Sequence, residues 1–146
     1  MNVELRTGDL FEQPDLKAIA HGVNCAGAMS RGISVGFRQR WPEMYEEYRL
    51  RCELRLLRVG DVFEWEEGPV TIFNLATQPD GKHPATLPNI RSSVERMAHV
   101  ARLRGIDRVG IPRIGAGLGG LAWQSVRLEL EAAHGPGVTL VIVSPP

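Results

Sequence analysis

The sequence predicts a three-layer α/β/α sandwich with a mixed central sheet, and two observations carry that reading. Short apolar, β-prone runs alternate with longer segments whose apolar residues recur every three or four positions. Three loops of unusual composition, Asn24–Gly32, Thr77–Pro84 and Gly115–Gly120, each follow one of those runs. Sheets of this kind bind ligands outside the carboxyl ends of their strands, so the three loops are expected to meet on one rim.

Taken in order, Val3–Arg6 is a short strand stopped by Gly8-Asp9. Lys17–Val23 is nearly all apolar, as a strand buried on both faces should be. Ile33, Phe37 and Trp41 recur at a spacing of four, which predicts a helix from about Ser30, with Ser30 as its N-cap. Pro42 suits the first turn of a second helix, Glu43–Glu53. Val62–Glu66 and Pro69–Ala76 flank Glu67-Gly68 as a hairpin. Ile90, Val94, Met97 and Ala101 mark one face of a helix over Leu87–Arg104, ended at Gly105. Arg108–Pro112 is a strand, Ala122–His134 the last helix with Val126, Leu130 and Ala133 on one stripe, and Val138–Val143 a final buried strand.

The 146 residues fit one domain, residues 1–146, and 43% apolar content suffices for one core. Seventeen basic residues balance 17 acidic ones, so broad electrostatic binding to nucleic acid or an anionic membrane is not indicated. Cys25 and Cys52 have no CxxC partner and read as free thiols of a reducing compartment. There is no signal-like N-terminus and no run of membrane-spanning length, so a cytosolic protein is expected. His83, His99 and His134 lack metal-ligand spacing, and neither a metal nor a cofactor is expected.

Ile111–Trp123 (IPRIGAGLGGLAW) reads as strand, glycine loop, helix, an arrangement suited to holding a phosphate on backbone N–H groups. It lacks the Lys-Ser/Thr pair of an ATP-binding P-loop and the GxGxxG spacing of a dinucleotide fold. A tight βα turn is the plain alternative; the two companion loops favour a ligand.

Gly8-Asp9-Leu10-Phe11, the run Asn24–Ile33 and the run Ile114–Leu121 followed by Trp123 together resemble a macrodomain, the ADP-ribose-binding fold. The likeness spans nearly the whole chain in the right order. Within the family it is similar to the branch holding terminal ADP-ribose protein glycohydrolase and the DNA ADP-ribosylglycohydrolase antitoxins. The resemblance implies that Asp9 accepts from the adenine amino group beside the Leu10 backbone. It implies that Ile114, Gly115, Ala116, Gly117, Leu118, Gly119 and Gly120 wrap the diphosphate. Asn24 would bind a ribose hydroxyl or a water, with Gly27 and Gly32 permitting close approach; Met29, Ser30, Ile33 and Thr77 complete the expected binding set. Met29 could equally plug the core. The implied partners are ADP-ribose and ADP-ribosylated proteins, with ADP-ribosylated DNA as the alternative, for a monomer that needs no membrane.

Two positions depart from the family's hydrolases. Gln78 stands where they carry a lysine, and Gly119 where the terminal glycohydrolase has an aspartate. A lysine amine can attack an anomeric carbon; a glutamine amide cannot. Lys82, four residues on, is the only nearby amine. The expected route is instead a water positioned by Asn24 and Gln78 and assisted by a substrate phosphate, acting on an ester to Glu or Asp. A reader that binds without cleaving is the first rival. His21 is expected to be a core or rim histidine, and Cys25 a small loop filler without a base to activate it.

Overall fold

A computed structural model describes residues 1–146, the side chain of Leu118 excepted. The elements are β1 (Asn2–Thr7), a 3-10 turn (Leu10–Glu12), β2 (Ala18–Asn24), α1 (Ser34–Arg40), α2 (Pro42–Glu53), β3 (Val62–Glu67) and β4 (Val70–Gln78). They continue with α3 (Leu87–Leu103), β5 (Arg108–Ile111), a second 3-10 turn (Gly117–Gly119), α4 (Trp123–Ala132) and β6 (Thr139–Ser144). The strands lie in the order β1-β6-β5-β2-β4-β3, parallel throughout except for the antiparallel β3–β4 hairpin. The expected mixed sheet and three layers are present.

Side chains alternate across a strand, and the core divides accordingly. Ala18, Ala20, Phe73, Leu75, Val109 and Ile111 face α3 and α4, joining Ile90, Val94, Met97, Val126 and Leu130. Ile19, Val23, Ile72, Ala76, Val141 and Val143 face the other way, onto Phe37 of α1 and Met44 and Tyr48 of α2. Both stripes read from the sequence, on α3 and α4, are buried.

The start of α1 needs correction. The helix begins at Ser34, its N-cap position is Ile33, no side chain caps it, and Ser30 lies exposed in the preceding loop. Gly32 has φ +60°, a left-handed conformation that stops a right-handed helix from extending back to Ser30. Met29, just before, is 1% exposed and anchors that loop in the core instead.

Candidate functional site

Parallel pairing of β2 with β4 sets His21 opposite Asn74 and Val23 opposite Ala76. The register then slips, so that Asn24 faces Gln78 rather than Thr77. Such an irregularity at a strand end re-aims side chains. Here it turns Thr77 inward, 2% exposed, and brings the two expected water-positioning residues together at the carboxyl ends of β2 and β4.

They open into a cleft of ≈ 260 Å³. One wall is Asn24, Ala28 and Ser30–Ser34, the opposite wall is Pro112–Ala116 with Gly119, and Gly22, Thr77 and Gln78 lie between. The three loops do converge. Wider hollows lie over α3 (≈ 620 Å³) and beside Leu10–Leu16 (≈ 530 Å³), but neither gathers these loops.

The Asn24 loop is held from below. Asn24 Oδ1 accepts from the N–H groups of Ala26 (2.9 Å) and Ala28 (3.4 Å), and Nδ2 donates to Ala28 O (3.0 Å). The Tyr48 hydroxyl donates to Asn24 O (2.7 Å), with Oδ1 also within reach at 3.0 Å. Oδ1 is therefore saturated, and one Nδ2 proton is what Asn24 can still offer a ligand. Burial pushes the Tyr48 phenol's pKa up, so it remains a neutral donor. Tyr48→Phe should cost about 1–2 kcal/mol of stability, read by urea unfolding, because it strips a donor from a half-buried carbonyl. It should also weaken ADP-ribose binding about 3- to 10-fold by loosening the loop, roughly one hydrogen bond's worth.

Gln78 Nε2 donates to His83 O at 2.9 Å, and Oε1 meets no donor among the described residues. The loop beyond it is folded on Asp80, which accepts from the N–H groups of Lys82 (2.8 Å) and His83 (2.9 Å) and from the His83 ring. Those bonds, the His83 N–H first, lower the Asp80 pKa to about 2. Lys82 is exposed and outside the cleft lining. Arg31 reaches across to Gly81 O (3.0 Å), clasping two rim loops rather than standing free for a phosphate.

The glycine loop carries its own N–H groups. It ends before α4, which begins at Trp123 after Gly120–Ala122, close to the expected start at Ala122. Within the loop the N–H groups of Ala116, Gly119, Gly120 and Leu121 bond to loop carbonyls. Those of Gly115 and Gly117 meet no acceptor among the described residues, so the donors are loop donors. The loop is braced by the Ala85 N–H bonding Gly119 O at 3.0 Å and by Arg113, which donates to Ser144 Oγ (3.0 Å) and lies over the Trp123 ring.

Of the expected binding set, Asn24, Ser30, Gly32, Ile33, Thr77, Gln78, Ile114, Gly115, Ala116 and Gly119 line the cleft. Met29 does not; its side chain is core. Gly27, Gly117 and Gly120 lie beyond the lining, and the Leu118 side chain falls outside the described residues. Asp9 caps the first 3-10 turn, accepting from the Phe11 N–H at 2.9 Å, while Leu10 is buried. Their turn joins the rim through Gly8 N–H to Ser144 O (2.8 Å), and Ser144 in turn holds Arg113.

His21 is wholly buried, as a core histidine should be, stacked on Phe37 with centroids 3.7 Å apart. Its Nε2 lies 2.6 Å from Asn74 Oδ1 and its Nδ1 2.9 Å from Ser34 Oγ. Burial lowers its pKa to about 4. Cys25 is pushed up to about 11, chiefly by burial, so it offers no thiolate nucleophile. Tyr48, Asn74 and Ser34 escaped the sequence reading. Asn74 left one signal, a lone amide in the otherwise apolar run Ile72–Ala76. Among the described residues no cluster of three or more His, Cys, Asp or Glu is placed to hold a metal, and no helix is long and apolar enough to cross a membrane.

A mixed six-stranded sandwich with glycine loops closing over the β2, β4 and β5 ends defines a class, and comparison names it. The family model for the macro domain matches residues 20–128, and the chain belongs to that family. It is 33% identical over 145 residues to the DNA ADP-ribosyl glycohydrolase of Mycobacterium tuberculosis, covering 95% of this chain and 41% of that protein. It is 28% identical over 127 residues to human ADP-ribose glycohydrolase OARD1, covering 85% of this chain and 78% of the relative. The solved macrodomain of Mycobacterium tuberculosis DarG superposes with a TM-score of 0.88 at 31% identity, over 99% of this chain and 97% of that one. The chain thus spans about two-fifths of the length of its mycobacterial relative.

Proposed function

We propose that residues 1–146 act as a single macro domain that binds ADP-ribose and hydrolyses mono-ADP-ribose esters on acidic protein side chains, as a monomer in the cytosol. The observation that carries this reading is the register slip that sets Asn24 opposite Gln78 between the two loops that wall the cleft. Relatives named as ADP-ribosyl glycohydrolases support it. At ≈ 260 Å³ the cleft is smaller than the usual ligand pocket, about 300–1,000 Å³, which suits the diphosphate and distal ribose alone; on this reading the adenine lies outside it, with Asp9 as its expected partner.

Water adds to the anomeric carbon as the carboxylate departs, and its proton passes to a diphosphate oxygen bent against the ribose. Gln78 Oε1 accepts a hydrogen bond from that water, with the amide plane fixed by His83 O. Asn24 contributes its remaining Nδ2 proton as a donor. Both act by geometry rather than by acid–base strength.

A second reading has its own support. The mycobacterial relative is named for ADP-ribosyl DNA, and the same cleft would serve a base-linked substrate. The balanced charge of the chain gives no broad surface for a duplex, which places the protein ester first. One experiment separates them: incubation with a glutamate-modified protein and with an ADP-ribosylated oligonucleotide, following released ADP-ribose. Release is expected from the protein. Release from the oligonucleotide alone moves the assignment to DNA, and retention of label without release makes the chain a reader. Gln78→Ala should slow release about 100-fold, the cost of a misplaced reactant, while ADP-ribose affinity changes less than about threefold.

A further inference from the structure

The buried chain Ser34–His21–Asn74 runs from the cleft wall into the core, and its polarity can be worked out from its inner end. Asn74 Nδ2 lies 3.1 Å from Phe63 O, a backbone carbonyl that can only accept. The amide is thereby oriented, and Oδ1 is the atom 2.6 Å from His21 Nε2. Oδ1 cannot donate, so Nε2 carries the proton. A neutral imidazole has one N–H, which leaves Nδ1 with a lone pair. Ser34 Oγ, 2.9 Å away, must donate to it. Among the described residues the one competing acceptor for that hydroxyl, Gly22 O, is at 3.5 Å. The ring stays neutral under ordinary conditions because its burial lowers its pKa to about 4.

Ser34 lines the cleft, and its single proton points away from it. What its hydroxyl presents to a ligand is lone pairs alone, although the main-chain N–H groups of Ile33 and Ser34 meet no acceptor among the described residues. A phosphate oxygen there would meet like charge, whereas an O–H would be received. We infer that Ser34 Oγ is a specificity-determining acceptor that takes a hydroxyl of the distal ribose. His21 and Asn74 are positioning residues behind it. This rests on the reading that the cleft takes ADP-ribose.

Two measurements test it. Calorimetric titration of the wild type and Ser34→Ala with ADP-ribose and with ADP, which lacks the distal ribose, should show about 3- to 10-fold weaker binding of ADP-ribose by the variant. ADP affinity should move less than about twofold, which also shows that the variant is folded. No loss for ADP-ribose, an equal loss for both ligands, or a gain for ADP overturns the assignment. Long-range ¹H–¹⁵N correlation at pH 7 should find the His21 proton on Nε2; finding it on Nδ1 overturns the acceptor role irrespective of any ligand. A wild type that ignores ADP-ribose removes the proposed function and the ribose with it, while the tautomer measurement still decides what Ser34 offers.

Discussion

Gly115→Ala is expected to lower stability by about 2–5 kcal/mol and ADP-ribose affinity by about 100-fold or more. Gly115 has φ +76°, where an L side chain costs about 1–2 kcal/mol, and a Cβ there would stand 2.5 Å from Ile90 Cδ1 in the core. Overpacking of that kind adds about 1–3 kcal/mol. The loop must lift off α3 to relieve it, and the diphosphate then loses N–H contacts worth about 1.5–3 kcal/mol each to a charged group. The two contributions can be separated. Ile90→Val removes the very atom that clashes, so the double variant Gly115→Ala/Ile90→Val should recover most of the steric part in a mutant cycle. Gly117→Ala, at φ +61° with nothing within 4 Å of the added carbon, should show the backbone cost alone. Urea unfolding and calorimetry read both quantities; equal effects at Gly115 and Gly117 would refute the packing account.

The second large effect is in pH. His21 has an ordinary pKa near 6.5 when unfolded and about 4 in the native protein, because the buried ring disfavours charge. Between those values the unfolded chain binds a proton that the native chain does not, so stability rises with pH across the window and falls on acidification. The full difference corresponds to about 3 kcal/mol between pH 7 and pH 4. Asp15, Asp80 and Glu95, whose pKa values lie below their ordinary ones, contribute stability that is lost lower still. Urea midpoints measured from pH 7 to pH 4 should therefore slope, and His21→Gln should flatten the slope while lowering stability at pH 7 through the lost Phe37 stack. A wild-type profile flat over that range would contradict a buried neutral ring.

The elements could be read in the chain because each is written locally. Val138–Val143 can only be a buried strand, and Ile90, Val94, Met97 and Ala101 repeat at helical spacing on one buried face. The glycine loop announced itself by composition, and the convergence of the three rims followed from strand direction. What escaped was set by distance. Nothing near Asn24 shows that Tyr48, 24 residues on, takes its carbonyl, or that His21 finds Asn74 across the sheet and Ser34 beyond its own loop. The false start of α1 has a similar origin. Ser30 is a good cap by type, but Met29 behind it was drawn into the core and Gly32 ahead of it turned left-handed, and neither event is visible in spacing alone.

The hairpin leaves β3 as one free border of the sheet, and its residues Glu64, Glu66 and Glu67 are acidic, with Arg104, which follows α3, paired to the first two. A strand from another copy, adding there antiparallel, would lay carboxylates against carboxylates and compete with that arginine for its partners. The border is a poor template for fibril growth, and the protein should tolerate the concentrations that crystal trials demand.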